Sequence, residues 1–213
     1  TLEQLKSFII PSLLDGLRDL HRNRILHKDL KPSNVMLCDN NRDVSIIDFG
    51  ISSVRQDGST MVVTQTGMTP IYTAPEALKG VFLEESDYYS LGITLYELYT
   101  GKVPYSGMSA EDIARFVSVQ RLPFPADIPD ELKVLISALT YSDISNRGDK
   151  GNPNRRWKYE EVDKWLRGEE QVVPGVSADS AGVPFLYSFE GKTYRKMADL
   201  VAALAYSWEA AKK

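Results

Sequence analysis

Asp29, Lys31 and Asn34 sit together on a short segment that also holds Pro32, and Asp48 follows at the end of an apolar run, just before Phe49-Gly50. These residue types at this spacing suit phosphoryl transfer. One carboxylate can take or orient the proton of an attacking hydroxyl. An Asn/Asp pair supplies oxygen ligands for Mg²⁺, a hard cation usually held by one or two carboxylates together with substrate phosphates. A cation beside the transferring group offsets the charge that develops as the bond breaks. Any one of these features alone is weak. An isolated Asp-Phe-Gly reads as a turn after a strand, and an isolated Asp near a Lys reads as a surface pair worth little.

The elements that must position these residues are legible in outline. Leu2, Leu5, Phe8, Ile9, Leu13, Leu17 and Leu20 follow helical spacing, and Pro11 is expected to kink that helix. Two apolar runs, 35–37 and 44–47, flank a polar turn and predict a small hairpin. Residues 50–74 show no sustained period, and a loop of that length in a compact domain is usually functional. Residues 86–100 are apolar almost all round, so this helix belongs at the centre of a helical domain, ended by Gly101 and Pro104. Ser109 with Asp112 marks the start of another helix, and further helices are predicted over 129–139 and 159–166, with a polar loop at 142–154 between them. Residues 168–184 read as a linker. A hairpin turning at Glu190-Gly191 follows, then a helix with Met197, Leu200, Val201, Leu204 and Trp208 on its apolar face.

Bulk properties narrow the class. The chain has 213 residues, 43% apolar and 25% charged, with net charge −4 and a pI near 5.3. That balance argues against binding to nucleic acid or to an anionic membrane. No run approaches the ~18 apolar residues of a membrane span, and no signal peptide opens the chain. A cytoplasmic location is the resulting expectation. Cys38 is the one cysteine, which rules out an internal disulfide framework and reads as a buried, inert thiol. Thr1 opens directly on the amphipathic pattern, so a longer natural chain is expected.

Taken together, His27-Lys28-Asp29 with Asn34, then Asp48-Phe49-Gly50, then Ala74-Pro75-Glu76 resemble the signature set of protein kinases in order and spacing. The resemblance covers residues 1–168 and is to the C-terminal large lobe. It implies a mainly α (α+β) fold: a helical bundle with a small β-hairpin at the catalytic loop and no N-terminal lobe. Residues 169–213 would form a separate extension, loosely resembling segments that trail some bacterial kinase-like proteins. By the resemblance, Asp29 accepts or orients the substrate proton and Lys31 lies near the transferring phosphate. Asn34 and Asp48 hold Mg²⁺ against the phosphates of ATP. His27 is structural. Thr69 bonds to Asp29 and Lys31, and Lys31 with Thr69 favours Ser/Thr over Tyr as acceptor. Glu76 pairs with Arg156, which follows Pro153 by three residues. Asp87 caps the central helix and braces the catalytic loop.

The sequence departs from the pattern in two places. Lys28 replaces an Arg that in many kinases pairs with a phosphate on the activation segment, where Ser59, Thr60, Thr64 and Thr66 are candidate acceptors. Lysine keeps the charge and loses the bidentate fork. Second, the 213 residues contain no Gly-rich phosphate loop, no strand Lys for the α/β-phosphates and no helix Glu to pair with it. The fragment alone is therefore expected to be a poor or inactive kinase that needs an N-terminal lobe in cis or trans. The leading expectation is a Ser/Thr protein kinase acting on protein hydroxyls. The alternative is a pseudokinase-like or regulatory protein-binding module, which would have no need of Asp29, Lys31, Asn34 and Asp48 together. A small-molecule phosphotransferase would have no use for Thr69 and the Ala74-Pro75-Glu76 segment.

Overall fold

The computed structural model describes residues 1–38, 43–48, 53–54, 69–119, 122–175, 187–189 and 192–194. Expectations for the turn at 39–42, for Phe49-Gly50, for Ser59, Thr60, Thr64 and Thr66, for Glu190-Gly191 and for the helix around 197–208 lie outside the described residues.

The chain opens with α1 (Leu2–Gln4), capped by the Thr1 side chain, then a π-helical stretch over Leu5–Ile9, then α2 (Ile10–Arg22). Pro11 sits in the first turn of α2, directly after the π-helical stretch, where the backbone pairing changes from i→i−5 to i→i−4. In place of the expected kink, the turn before the proline is π-helical. There the Ile10 amide bonds back to the Leu5 carbonyl, and the wider turn carries the chain past the ring. Ile10, Leu13, Leu14 and Leu17 form the buried stripe of α2.

β1 (Ile25–Leu26) leads into the loop at 27–34 and pairs antiparallel with β4 (Ser53–Val54), a pairing too short to read from sequence. β2 (Val35–Cys38) and β3 (Asp43–Ile46) form the expected hairpin, in register Val35 with Ile46 and Cys38 with Asp43. β2 is only half covered. Met36 and Leu37 are 48% and 53% exposed, and Cys38 is half-buried, with its thiol near the Ser45 hydroxyl. The expectation of a buried Cys38 is corrected: the hairpin stands at the edge of the helical domain, where β2 has no second layer over it.

At the centre lies α3 (Glu84–Thr100), buried continuously from Glu85 to Tyr96. It begins two residues before the predicted start and ends at Gly101, whose φ of 69° is the left-handed conformation favoured at a helix C-terminus. Gly92, in mid-helix, has a packing reason. A Cβ there would lie 2.8 Å from the Thr140 methyl carbon and 3.0 Å from Leu139 Cβ, so a residue that disfavours helix by about 1 kcal/mol allows the close approach of α5 (Asp130–Leu139). α4 (Ala110–Val119) starts where Ser109 accepts the Asp112 amide hydrogen bond at 3.1 Å. α6 (Tyr159–Leu166) starts where the Lys158 amide donates to Glu161 at 3.0 Å. β5 (Tyr187–Phe189) and β6 (Lys192–Tyr194) form the second expected hairpin. Residues 169–175 stay attached to the helical domain, Gln171 donating to the Glu161 carbonyl and the Gly175 amide to Asn154. Among the described residues, no helix is long and apolar enough to cross a membrane.

Candidate active site

The segment between β1 and β2 carries the first group of chemistry-bearing residues. Lys31 is extended, and a single 3₁₀ turn, Pro32–Asn34, brings Asn34 back beneath Asp29. The Asn34 amide group donates to the Asp29 carbonyl at 2.7 Å and to its carboxylate at 3.2 Å. Lys31 Nζ lies 2.7 Å from the same carboxylate oxygen and donates to the Thr69 hydroxyl at 2.9 Å. Thr69 in turn donates to the other Asp29 oxygen at 3.3 Å. Asp29, Lys31, Asn34 and Thr69 therefore form one hydrogen-bonded cluster, with the Asp29 side chain 12% exposed. Asp48 reaches the same place from the hairpin. The Ile47 amide donates to the Asn34 carbonyl at 2.9 Å, and Asp48 follows on the exposed rim. Its φ of 62° is unusual for a residue with a Cβ, a strain typical of functional positions.

Below the loop the links are structural. His27 is fully buried. Its Nδ1 accepts from the Asp29 amide at 3.3 Å, which leaves Nε2–H to donate to the Ile47 carbonyl at 3.3 Å, so the ring ties the loop to the strand end that carries Asp48.

Asp87 braces the loop but does not cap α3, correcting that half of the expectation. The helix begins at Glu84, so Asp87 lies within its first turn. One carboxylate oxygen accepts the Lys28 amide at 2.8 Å. The other accepts the His27 amide at 3.0 Å and lies 2.8 Å from His21 Nε2. Asp87→Ala strands two buried amides at about 1–3 kcal/mol each. It is expected to lower stability by roughly 3 kcal/mol in chemical denaturation, and a loss under about 1 kcal/mol would mean water replaces the carboxylate.

Lys28 stands with φ 70° and its side chain turned inward. Its ammonium lies 4.9 Å over the Phe82 ring and has no hydrogen-bond partner among the described residues. Burial pushes its pKa down, and the nearby Asp87 charge partly opposes that.

The second group, from Thr69 to Glu76, is held by the same helix. A 3₁₀ turn, Pro70–Tyr72, presents Thr69. Ser90 donates to the Tyr72 carbonyl at 2.8 Å, and the Tyr72 hydroxyl donates to Glu97. Burial, reinforced by Glu97, raises the Tyr72 pKa. Thr94 donates to the Leu30 carbonyl at 3.4 Å. Glu76 accepts from Arg156 at 2.6 and 3.1 Å and from Ser86 at 2.8 Å, all buried. Sequence reasoning did not single out His21, Ser86, Ser90 or Thr94. The signal for the last three was present: Ser86, Ser90 and Thr94 recur every four residues as a polar stripe along an otherwise apolar helix. In the structure that stripe holds both the loop carrying Asp29 and the segment carrying Thr69.

The donor set suits a hard divalent cation. Both hydrogen bonds of the Asn34 side chain use its NH₂ group, leaving its carbonyl oxygen directed away from Asp29, and Asp48 adds a carboxylate nearby in the chain fold.

The protein kinase domain model matches residues 2–149, more than half of the chain. A probable serine/threonine-protein kinase of Dictyostelium discoideum is 35% identical over 147 residues, covering 68% of this chain and 16% of that protein. A dual specificity protein kinase of the same organism is 36% identical over 143 residues, 65% of this chain and 10% of its own length. A CBL-interacting protein kinase of Oryza sativa subsp. japonica is 32% identical over 175 residues, 80% of this chain and 37% of the relative. The chain thus spans well under half the length of these relatives.

Proposed function

We propose, from the premise that this chain belongs to the protein kinase domain family, that it carries the catalytic side of a Ser/Thr protein kinase and directs the γ-phosphate of ATP to protein hydroxyls. The observation that carries this reading is the closed cluster of Asp29, Lys31, Asn34 and Thr69. An acceptor hydroxyl placed against Asp29 would donate to a carboxylate already held by Lys31, Asn34 and Thr69, which fixes the direction of its lone pair for attack. Lys31 then faces the phosphate that moves. Mg²⁺, held by Asn34 and Asp48, would supply charge neutralisation of the phosphate oxygens.

Thr69 restricts the acceptor. Its hydroxyl donates to Asp29 and accepts from Lys31, filling the space beside the carboxylate and favouring a short Ser or Thr side chain over the longer reach of Tyr. The 213 residues hold no Gly-rich phosphate loop. The α/β-phosphates are therefore to be held by further polypeptide, in cis or in trans, and the fragment by itself transfers phosphate poorly. Residues 1–168 act as the catalytic lobe and 169–213 as an appended segment. The test is transfer from Mg-ATP to peptide pools, using the chain joined to its upstream sequence. Incorporation into the Ser and Thr pools, at least about tenfold above the Tyr pool, is expected. Equal or greater labelling of Tyr, the behaviour named by the dual specificity relative, would overturn the assignment.

A further inference from the structure

On another face, a cleft of about 430 Å³ lies between the C-terminal end of α2, the start of α3, the 147–150 turn and the start of α6. Although the chain as a whole is acidic, Lys and Arg side chains outnumber carboxylates in this lining six to three. The three carboxylates are already engaged. Glu161 pairs with Arg155, Glu84 lies 3.8 Å from Lys158, and Glu160 lies 3.8 Å from Lys150. Arg18 is likewise taken, 2.9 Å from Asp15. That leaves Arg22 and Arg147. Both are exposed, and neither meets a carboxylate among the described residues; Arg147 only donates to the Ile144 carbonyl at 3.4 Å. The turn bearing Arg147 is pinned across its base, where Asn146 donates to the Asn154 carbonyl at 3.2 Å.

We propose that this cleft binds a phosphate monoester, with Arg22 and Arg147 as its anion-binding groups. Two uncompensated guanidinium charges match the near-dianionic charge of a phosphate monoester, and each offers a planar fork of donors to its oxygens. The cleft is several times larger than a phosphate group, and Tyr88 and Tyr159 form part of its wall. The ligand therefore carries an organic body, either a peptide bearing phosphoserine or a small phosphorylated molecule. The site is separate from the Asp29 cluster and does not depend on the reaction proposed there. It is nevertheless connected to it, because His21 in the cleft wall contacts Asp87, which holds the catalytic-loop amides.

The test is titration of the 213-residue chain with a phosphoserine peptide, its unphosphorylated form, adenosine monophosphate and inorganic phosphate. Arg22→Gln, Arg147→Gln and Arg115→Gln are measured alongside. Arg115 is a 75%-exposed arginine on α4, outside the cleft. All three sites are on the surface, so circular dichroism should show an unchanged fold. At least one phosphorylated probe is expected to bind saturably, to weaken about tenfold or more in Arg22→Gln and in Arg147→Gln, and to be unaffected by Arg115→Gln. The tightest probe identifies the body that carries the phosphate. Absence of saturable binding by every phosphorylated probe, binding unchanged in both cleft variants, or an equal loss in Arg115→Gln would overturn the proposal.

Discussion

Arg156→Ala is expected to lower the unfolding free energy by about 3–5 kcal/mol. Arg156 is 1% exposed, and four of the five donors of a guanidinium are engaged. It makes two bonds to Glu76, one to the Glu85 carbonyl at 2.8 Å and one to the Tyr141 carbonyl at 2.8 Å. Its flat face lies 5.1 Å from the centre of the Tyr89 ring. Truncation leaves the Glu76 carboxylate, 8% exposed, with the Ser86 hydroxyl but no counter-charge, and takes a donor away from the Glu85 and Tyr141 carbonyls. Removing one member of such a pair costs far more than the pair is worth against an apolar substitute. Two further variants separate the causes. Arg156→Lys should recover only part of the loss, because an ammonium cannot reproduce the fork or the stacking. The double replacement Glu76→Met with Arg156→Met should be less damaging than the sum of the two single changes. Denaturant midpoints measure all of this, and a loss near zero for Arg156→Ala would mean that water reaches the site.

Asp29→Asn should do the reverse, removing activity while sparing the fold. Asparagine matches the shape of Asp29 and keeps one oxygen able to accept from Thr69. What disappears is the negative charge facing Lys31 and the basicity needed at the acceptor hydroxyl. Positioned proton acceptors contribute about 10²–10⁴-fold to rate, and a drop in that range is expected. The side chain is 12% exposed and keeps its size and its Thr69 hydrogen bond, so the accompanying loss of stability should stay within about 1 kcal/mol. The two replacements thus separate a buried pair, Glu76–Arg156, that holds the domain together from the Asp29 cluster, to which the proposed function assigns the chemistry.

Much of this arrangement was legible in the sequence because it is written locally. The short loop around Pro32 follows from the proline, the end of α3 from Gly101, and the start of α4 from Ser109 with Asp112. The placement of Glu76 against Arg156, 80 residues away in the chain, was legible only through the family pattern, since no local rule joins two charges at that separation. Other features were hidden for physical reasons. β1 and β4 hold only two residues each, too few to show alternation. The π stretch before Pro11 depends on which carbonyl the Ile10 amide reaches, and helical periodicity does not encode that choice. The family pattern makes Asp87 a cap of α3, whereas its carboxylate accepts the buried amides of His27 and Lys28, a long-range pairing that no local rule encodes. Cys38 sits in an apolar run that would be buried in a two-layered sheet and is half-exposed on the outer strand of a hairpin whose other strand packs on α2.

The most direct measurement is single-turnover transfer of labelled γ-phosphate from Mg-ATP to a Ser/Thr protein substrate, using the chain joined to its upstream sequence, beside the same protein carrying Asp29→Asn. The account predicts transfer by the first and a loss of about 10²–10⁴-fold in the second, with matching unfolding midpoints. Transfer at equal rates in both would contradict it, as would well-folded protein that transfers nothing in either form.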